Sequence, residues 1–302
     1  MSSFFLSFIL FFSSALFLLA DPVKNFAWTQ ATELYPGIQH ASLALEEPRL
    51  LKLNVVRIDL ERPEIGFCCT SADPDWGKPM PDAEDFSIRT RRQTTVAFVR
   101  HARLPKERGG LGLNMVMAVN ATPWSPWRKP FNHKYADNMG LVISAGKLVS
   151  ALNKRPSFII YKNGEFALQQ LNEKSDLSTI ELALSGFSFV LQNGVPTGDK
   201  ALHPRTAYGL SKDKKYLFLL TVDGRQKNWS LGATTRELGE WLLQFGAWEG
   251  INMDGGGSTS LACLLPDSAE GKESIKLLNQ TGGGMRSVAT NLGIYLKHAD
   301  KP

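Results

Sequence analysis

The sequence predicts an α+β fold: a single domain built on a mixed, hairpin-rich β-sheet with a few flanking helices. Three observations carry that expectation. Short apolar runs of strand length recur from Val55 to Leu296, and Asn-Gly or Gly-Lys turns separate several of them. Only the stretch after Thr234 shows a complete helical signature. Neither an internal repeat nor an interdomain linker interrupts the series, and 302 residues are enough for one large core.

Taken in order, residues 1–20 hold no charged side chain and are dominated by Phe and Leu, with Asp21-Pro22 directly behind. They are expected to be a secretory signal peptide cleaved after Ala20, or else an uncleaved N-terminal anchor tethering the chain to a membrane. The domain then runs over 21–302, its core over about 50–297. An exported location follows: secreted, periplasmic or in the cell envelope. Val55 to Leu60 alternates and reads as a half-buried strand, and the Asp- and Pro-rich stretch 71–85 as a loop. Phe86 to His101 is expected to be a helix capped by Asp85 or Ser87, with a solvated basic face continuing to Arg108. Met115 to Val119 is a buried strand that runs out into Asn120-Ala-Thr-Pro-Trp124-Ser-Pro-Trp127.

Hairpins are expected at Ala145-Gly146, Asn163-Gly164, Asn193-Gly194 and Lys212-Asp-Lys-Lys215. Thr234 caps a helix, with Glu237 closing a capping box and Leu238, Trp241, Leu242 and Phe245 on one face. Gly246 ends it, and strands at Ile251–Asp254 and Val288–Leu296 complete the chain.

Composition narrows the function. A net charge of +5 suits an anionic substrate but is too small to argue for nucleic acid. The five histidines are scattered, and Cys68, Cys69 and Cys263 lack His partners at ligand spacing, so neither metal nor cofactor is expected. Adjacent Cys68 and Cys69 would face opposite sides of a strand, which favours free thiols.

Four apolar strands end in short polar exits: Asn120-Ala-Thr-Pro-Trp124, Asp223-Gly-Arg225, Asp254-Gly-Gly-Gly-Ser-Thr259 and Gly284-Met-Arg286. His203-Pro-Arg205-Thr206 opens another strand. Arginines suit phosphate oxygens, and paired carboxylates suit glycosidic bonds, so the set points to a sugar-phosphate linkage.

These motifs, with Arg286-Ser-Val-Ala-Thr-Asn-Leu-Gly293, resemble in order those of the phosphodiester glycosidase family, over roughly residues 50–297. Many members carry Asn-Gly-Gly-Phe-Phe where this chain has Asn120-Ala-Thr-Pro-Trp124, a loop expected to shape the substrate pocket. The resemblance implies hydrolysis of a sugar-1-phosphodiester, small molecule or glycopolymer, releasing sugar and a phosphate monoester. Asp254 is expected as nucleophile or base, and Asp223 as second carboxylate or as the holder of Arg225. Arg205 and Arg286 are expected to bind phosphate, with Arg225 also among the substrate- and phosphate-binding residues, and the amides of Gly255, Gly256 and Gly257 to support negative charge. Asn120, Thr206, Ser258 and Thr259 are expected to bind sugar hydroxyls or phosphate oxygens. The rival expectations are a non-catalytic module that binds anionic glycans at the cell envelope, and a metal phosphodiesterase. Asn228 and Asn279 head Asn-x-Ser/Thr sequons and are expected as glycan acceptors; the third such asparagine, Asn120, is assigned to the pocket.

Overall fold

The computed structural model describes residues 22–129, 131–267 and 272–297. The leader expected over 1–20 lies outside them. No helix among the described residues is long and apolar enough to cross a membrane.

Two sheets sandwich the main core. The larger has eight strands in the order Thr32–Tyr35, Ile38–Leu45, Leu51–Asp59, Tyr216–Val222, Arg205–Leu210, Glu249–Asn252, Ser188–Gln192, Val195–Pro196. The second has five: Lys272–Leu277, Leu261–Asp267, Met115–Asn120, Asn291–Leu296, Ile65–Cys69. A third sheet of five strands, made from the hairpins of 142–170 with Ile180–Ser185, packs against both. The α+β class expected from the sequence holds, but the strands divide among several sheets and none of these is mixed. Every strand pairing among the described residues is antiparallel.

Burial explains why the strands read as continuous apolar runs. Along Tyr216–Val222, Leu217 and Leu219 enter the core between the sheets, while Phe218, Leu220 and Val222 face outward beneath a helix. Both faces are covered, so both parities are apolar. The same holds for Leu51–Asp59, where Val56 and Ile58 point inward and Leu51, Leu53 and Val55 outward. That strand lies between two others, so it is central rather than half-buried.

Two α-helices flank the sandwich. The first, α1 (Thr95–Arg103), lays Phe98, Val99 and Ala102 on Met115 and Ala118 of the five-stranded sheet. It starts nine residues later than expected, capped by Thr94, whose Oγ1 accepts from the Ala97 amide at 3.1 Å. Phe86 and Ile88 instead join Met80, Ala83 and Tyr135 in a small separate cluster, which holds Ala83–Ser87 extended against Pro79–Met80. The 71–85 stretch therefore contains a hairpin rather than loop alone. The second helix, α2 (Thr235–Phe245), has the expected Thr234/Glu237 capping box and a left-handed Gly246 at its end. Leu238, Trp241, Leu242 and Phe245 cover the outer face of the large sheet; each such side chain stabilises by about 1.5–3 kcal/mol.

All three cysteines are free thiols, with Cys69 turned into the core and Cys68 toward α1. Burial pushes the Cys69 and Cys263 thiols up to about 12, so neither is a nucleophile at neutral pH.

Candidate active site

At one rim of the sandwich, Met115–Asn120, Tyr216–Val222, Glu249–Asn252 and Lys272–Leu277 run out, and their antiparallel partners Arg205–Leu210, Leu261–Asp267 and Asn291–Leu296 begin. Asn120 clasps the two sheets there. Its Oδ1 accepts from Thr206 Oγ1 at 2.7 Å and from the Ser260 amide at 3.0 Å. Its Nδ2 donates to the Asp254 carbonyl at 2.7 Å, and its own carbonyl accepts from the Tyr208 hydroxyl. Asn120 and Thr206 are fully buried, with these groups committed to one another. They hold the rim together and are not available to sugar hydroxyls, contrary to the expectation from sequence.

The glycine run follows from three separate close approaches. A Cβ on Gly255 would fall 2.7 Å from the Pro204 carbonyl oxygen, and one on Gly257 would fall 2.6 Å from the Arg286 guanidinium. Gly256 adopts φ +61°, and a Cβ there would fall 3.2 Å from the Arg225 guanidinium. Glycine is demanded at Gly255 by the Pro204 backbone and at Gly256 by its left-handed φ, whereas at Gly257 the neighbour is a side-chain end that could shift.

Beneath that loop lies Asp254, only 1% exposed. Neither carboxylate oxygen has a hydrogen-bond partner among the described residues, and neither do Ser258 Oγ, Thr259 Oγ1, Thr122 Oγ1 or Trp124 Nε1. Buried polar atoms are ordinarily satisfied, so unpartnered ones gathered on the segments of one rim mark a place built for a ligand. Burial pushes the Asp254 carboxyl up to about 7, while Ser258, the Arg286 charge, the Gly255 amide and Trp124 each pull it back. Near neutrality it therefore exchanges its proton readily.

Beside the loop opens a cleft of about 500 Å³, lined by Gly256, Gly257, Thr259, Asp223–Arg225 and Asn279–Ser287, with Arg92, Phe131 and Pro204 closing it. Arg286 makes no hydrogen bond or ion pair among the described residues; its guanidinium stacks 4.6 Å from the Phe131 ring and 6.0 Å from Trp127. Arg225 is exposed, and among the described residues its side chain has one hydrogen bond, to His203 Nδ1 at 3.0 Å. Both cations are thus free for an anion.

Arg205 is not. Its parity along Arg205–Leu210 turns it away from the inward-facing Thr206 and Tyr208. Its Nε donates to the Ala233 carbonyl at 3.0 Å and one Nη to Ala201 at 2.7 Å, with Asp199 at 3.6 Å. It braces the loops behind the rim and does not line the cleft, which corrects its expected role as a phosphate ligand.

Asp223 lines the cleft, which Asp254 does not, and it is held differently. Its carboxylate accepts from Trp229 Nε1 at 2.7 Å, from Asn279 Nδ2 at 3.2 Å and from the Gln280 amide at 3.0 and 3.1 Å. Burial raises its pKa, and these same donors oppose the rise. It pairs with the 279–280 segment and not with Arg225.

Sequence reasoning missed several lining residues. Arg92, read as part of a solvated basic face, donates to the carbonyls of Phe131, His133 and Ser287 and lies 4.1 Å from the Trp124 ring. Burial, then Arg286, brings its pKa down to about 10. Asn279, read as a glycan acceptor, is buried and bonded to Asp223 and Thr259, so the folded molecule has no room for a glycan there; Asn228 is exposed. Phe131 and Gln280 carried no pattern that would have marked them, and Met285 stood in a named exit loop without a role of its own. The two tryptophans divide: Trp124 is fully buried and Trp127 is 52% exposed. Among the described residues, no three His, Cys, Asp or Glu side chains gather as a metal site would need.

The phosphodiester glycosidase family model matches residues 114–295, from the strand carrying Asn120 to the strand beyond Arg286. No curated protein sequence matches the chain. Among solved structures, the catalytic domain of zebrafish N-acetylglucosamine-1-phosphodiester alpha-N-acetylglucosaminidase, auto-inhibited by its pro-peptide, is similar with TM-score 0.60 and 17% identity, over 89% of this chain and 87% of that one. A hypothetical protein from Synechocystis follows at TM-score 0.57 and 13% identity, over 88% and 63%. A Burkholderia pseudomallei K96243 protein described as exported follows at 0.53 and 14%, over 82% and 74%. At these identities the likeness establishes the fold.

Proposed function

The chain belongs to the phosphodiester glycosidase family, and from that premise we propose that it is an exported hydrolase of sugar-1-phosphodiesters. The observation that carries the reading is the Asp254 carboxylate: buried, unpartnered, poised near neutrality, and set beneath a cleft with two free guanidiniums. Arg225 and Arg286 grip the phosphate, in place of the expected Arg205. The sugar reaches Asp254 across the bare glycine loop, where Ser258 and Thr259 offer their unpartnered hydroxyls.

Asp254 then acts at the anomeric carbon, as nucleophile or as base toward water. The C–O bond to phosphate breaks, its electron pair leaves with the phosphate, water supplies hydroxyl to the sugar, and the proton ends on the monoester or in solvent. Phosphate is a stable leaving anion and asks for little protonation, so a second carboxylate in the acid role is dispensable. Asp223 is accordingly a positioning residue that holds the 279–280 segment, on which the Arg286 loop depends. Export is supported by the uncharged apolar stretch over residues 1–20.

The test is product release from a panel of sugar-1-phosphodiesters by the purified chain and by Asp254→Asn. The reading requires that the variant bind substrate and lose turnover. Full turnover in Asp254→Asn would sink it. Binding by both proteins with turnover by neither would favour the glycan-binding alternative.

A further inference from the structure

The cleft opens through loops of one charge sign. Segments 121–134, 200–206, 224–234 and 279–290 contain no Asp or Glu, in a chain with 29 acids and 34 bases. Their cations include Lys129, Lys134, Lys200, Arg225, Lys227 and Arg286. The two carboxylates that follow the rim strands, Asp223 and Asp254, are both buried. Exposed carboxylates border the loops at three places, where Asp82 lies 3.2 Å from His133, Asp85 3.6 Å from Arg128 and Asp199 3.6 Å from Arg205, and none of these meets Lys129, Lys200, Arg225, Lys227 or Arg286.

The same loops expose apolar side chains. Of the twelve large hydrophobic residues left exposed among the described residues, five stand on these short segments: Trp127, Leu202, Trp229, Leu231 and Met285. Three of them stand at the cleft. Met285 lines it, Trp127 lies beside Arg286, and the indole of Trp229 is bonded to Asp223, a lining residue. A monomer seldom gathers such residues where nothing covers them.

We propose that this face is an interfacial docking surface for anionic lipid. Lysine and arginine beside exposed Trp, Met and Leu is the combination that holds a protein at a headgroup layer, where ring and thioether enter the acyl boundary and the cations meet phosphates. A soluble polyanion would use the cations and gain nothing from the exposed apolar tips. Docked this way, the cleft faces the headgroups, and a glycosyl phosphodiester reaches Arg225 and Arg286 with its aglycone still in the lipid. The substrate half rests on the glycosidase reading above; the docking half does not.

The test is binding of the full chain to vesicles of phosphatidylglycerol and of phosphatidylcholine, with dextran sulfate as soluble competitor. An apolar leader would bind both vesicles alike, so the readout is the excess for phosphatidylglycerol. The expected excess is about tenfold. It should fall at least threefold in Lys129→Glu/Lys227→Glu and in Trp127→Ser/Met285→Ser. The charge-reversal pair lines no part of the cleft and should keep its turnover of a soluble sugar-1-phosphodiester, which shows that it folds. Absence of the excess, its survival in both double variants, or its abolition by dextran sulfate with Trp127→Ser/Met285→Ser binding as the parent does, overturns the docking surface. An excess without any turnover keeps the docking surface and removes the glycosidase reading.

Discussion

Asp223 and Asp254 each follow a strand at the same rim, both buried, and they are held in opposite ways. Asp223 is surrounded by donors from Trp229, Asn279 and Gln280. Asp254 has Ser258, the Gly255 amide and Trp124 near enough to draw its pKa down, yet none meets it in hydrogen-bond geometry. The first arrangement stabilises the fold, because every buried lone pair that matters has a partner. The second costs stability and leaves a carboxylate ready to react. Stability and chemistry are thus divided between two residues that look alike in sequence.

Substitution should separate them. Asp254→Asn is expected to lower turnover by about a thousandfold or more, as loss of an essential nucleophile or base does. It should also alter how stability depends on pH. With a folded value near 7 against 3.8 for the free group, the folded chain holds this proton more tightly than the unfolded chain. Stability therefore falls as pH rises from about 4 to 7, by about 2–4 kcal/mol. Denaturant unfolding of the Asn variant at pH 5 and pH 8 should lack that fall. A variant less stable than the parent at pH 8 would remove the claim that Asp254 is a strained group.

Asp223→Ala should do the reverse. Three donors lose their acceptor, and unfolding should show a loss of about 2–4 kcal/mol. Any residual activity should fall mainly through a raised KM as the 279–286 segment loosens. If Asp223→Ala keeps its stability and loses kcat alone, Asp223 is a catalytic carboxylate after all.

The arginines sharpen the same contrast on a smaller scale. Arg286→Gln should raise KM by about ten- to a hundredfold with little change in Tm, since it breaks no bond in the fold. Arg205→Gln should lower Tm and leave KM nearly unchanged. The least effect expected is in the pH profile: kcat/KM should rise with pH to a plateau above about 7. In Arg286→Gln that acid limb should move upward, because the lost charge favours the ionised Asp254. A limb that stays in place would place Arg286 too far from Asp254 to matter.

The fold was largely legible because burial wrote it into the chain. Helix α2 is marked by its cap, its apolar face and its terminal glycine, and the hairpins by their turns. Helix α1 was misplaced because Phe86 and Ile88 belong to a satellite cluster formed with Tyr135, a contact that no local pattern announces. In the site, Asp254, its glycines and Arg286 stood out because their residue types make no sense as packing. Arg205 and Asn120 stood out for the same reason and proved to be scaffold. Residue type marks a group as polar, while only its tertiary neighbours decide whether that polarity is already satisfied. Arg92 and Asn279 illustrate the converse, since each looked superficial and lies at the wall of the cleft.

The clasp at Asn120 carries a consequence for biosynthesis. Asn120-Ala-Thr122 and Asn279-Gln-Thr281 are acceptor sequences, yet both asparagines are interior and use their amide nitrogens in bonds the rim depends on. Oligosaccharide transfer acts on chain that has not yet folded. In a host that glycosylates exported proteins, modification at either position competes with folding and removes the molecule from the folded pool. Soluble protein from such a host should carry at most one glycan, at Asn228, with doubly modified chains confined to the aggregated fraction. Intact mass measurement of the two fractions decides it, and a folded molecule glycosylated at Asn120 would contradict the clasp.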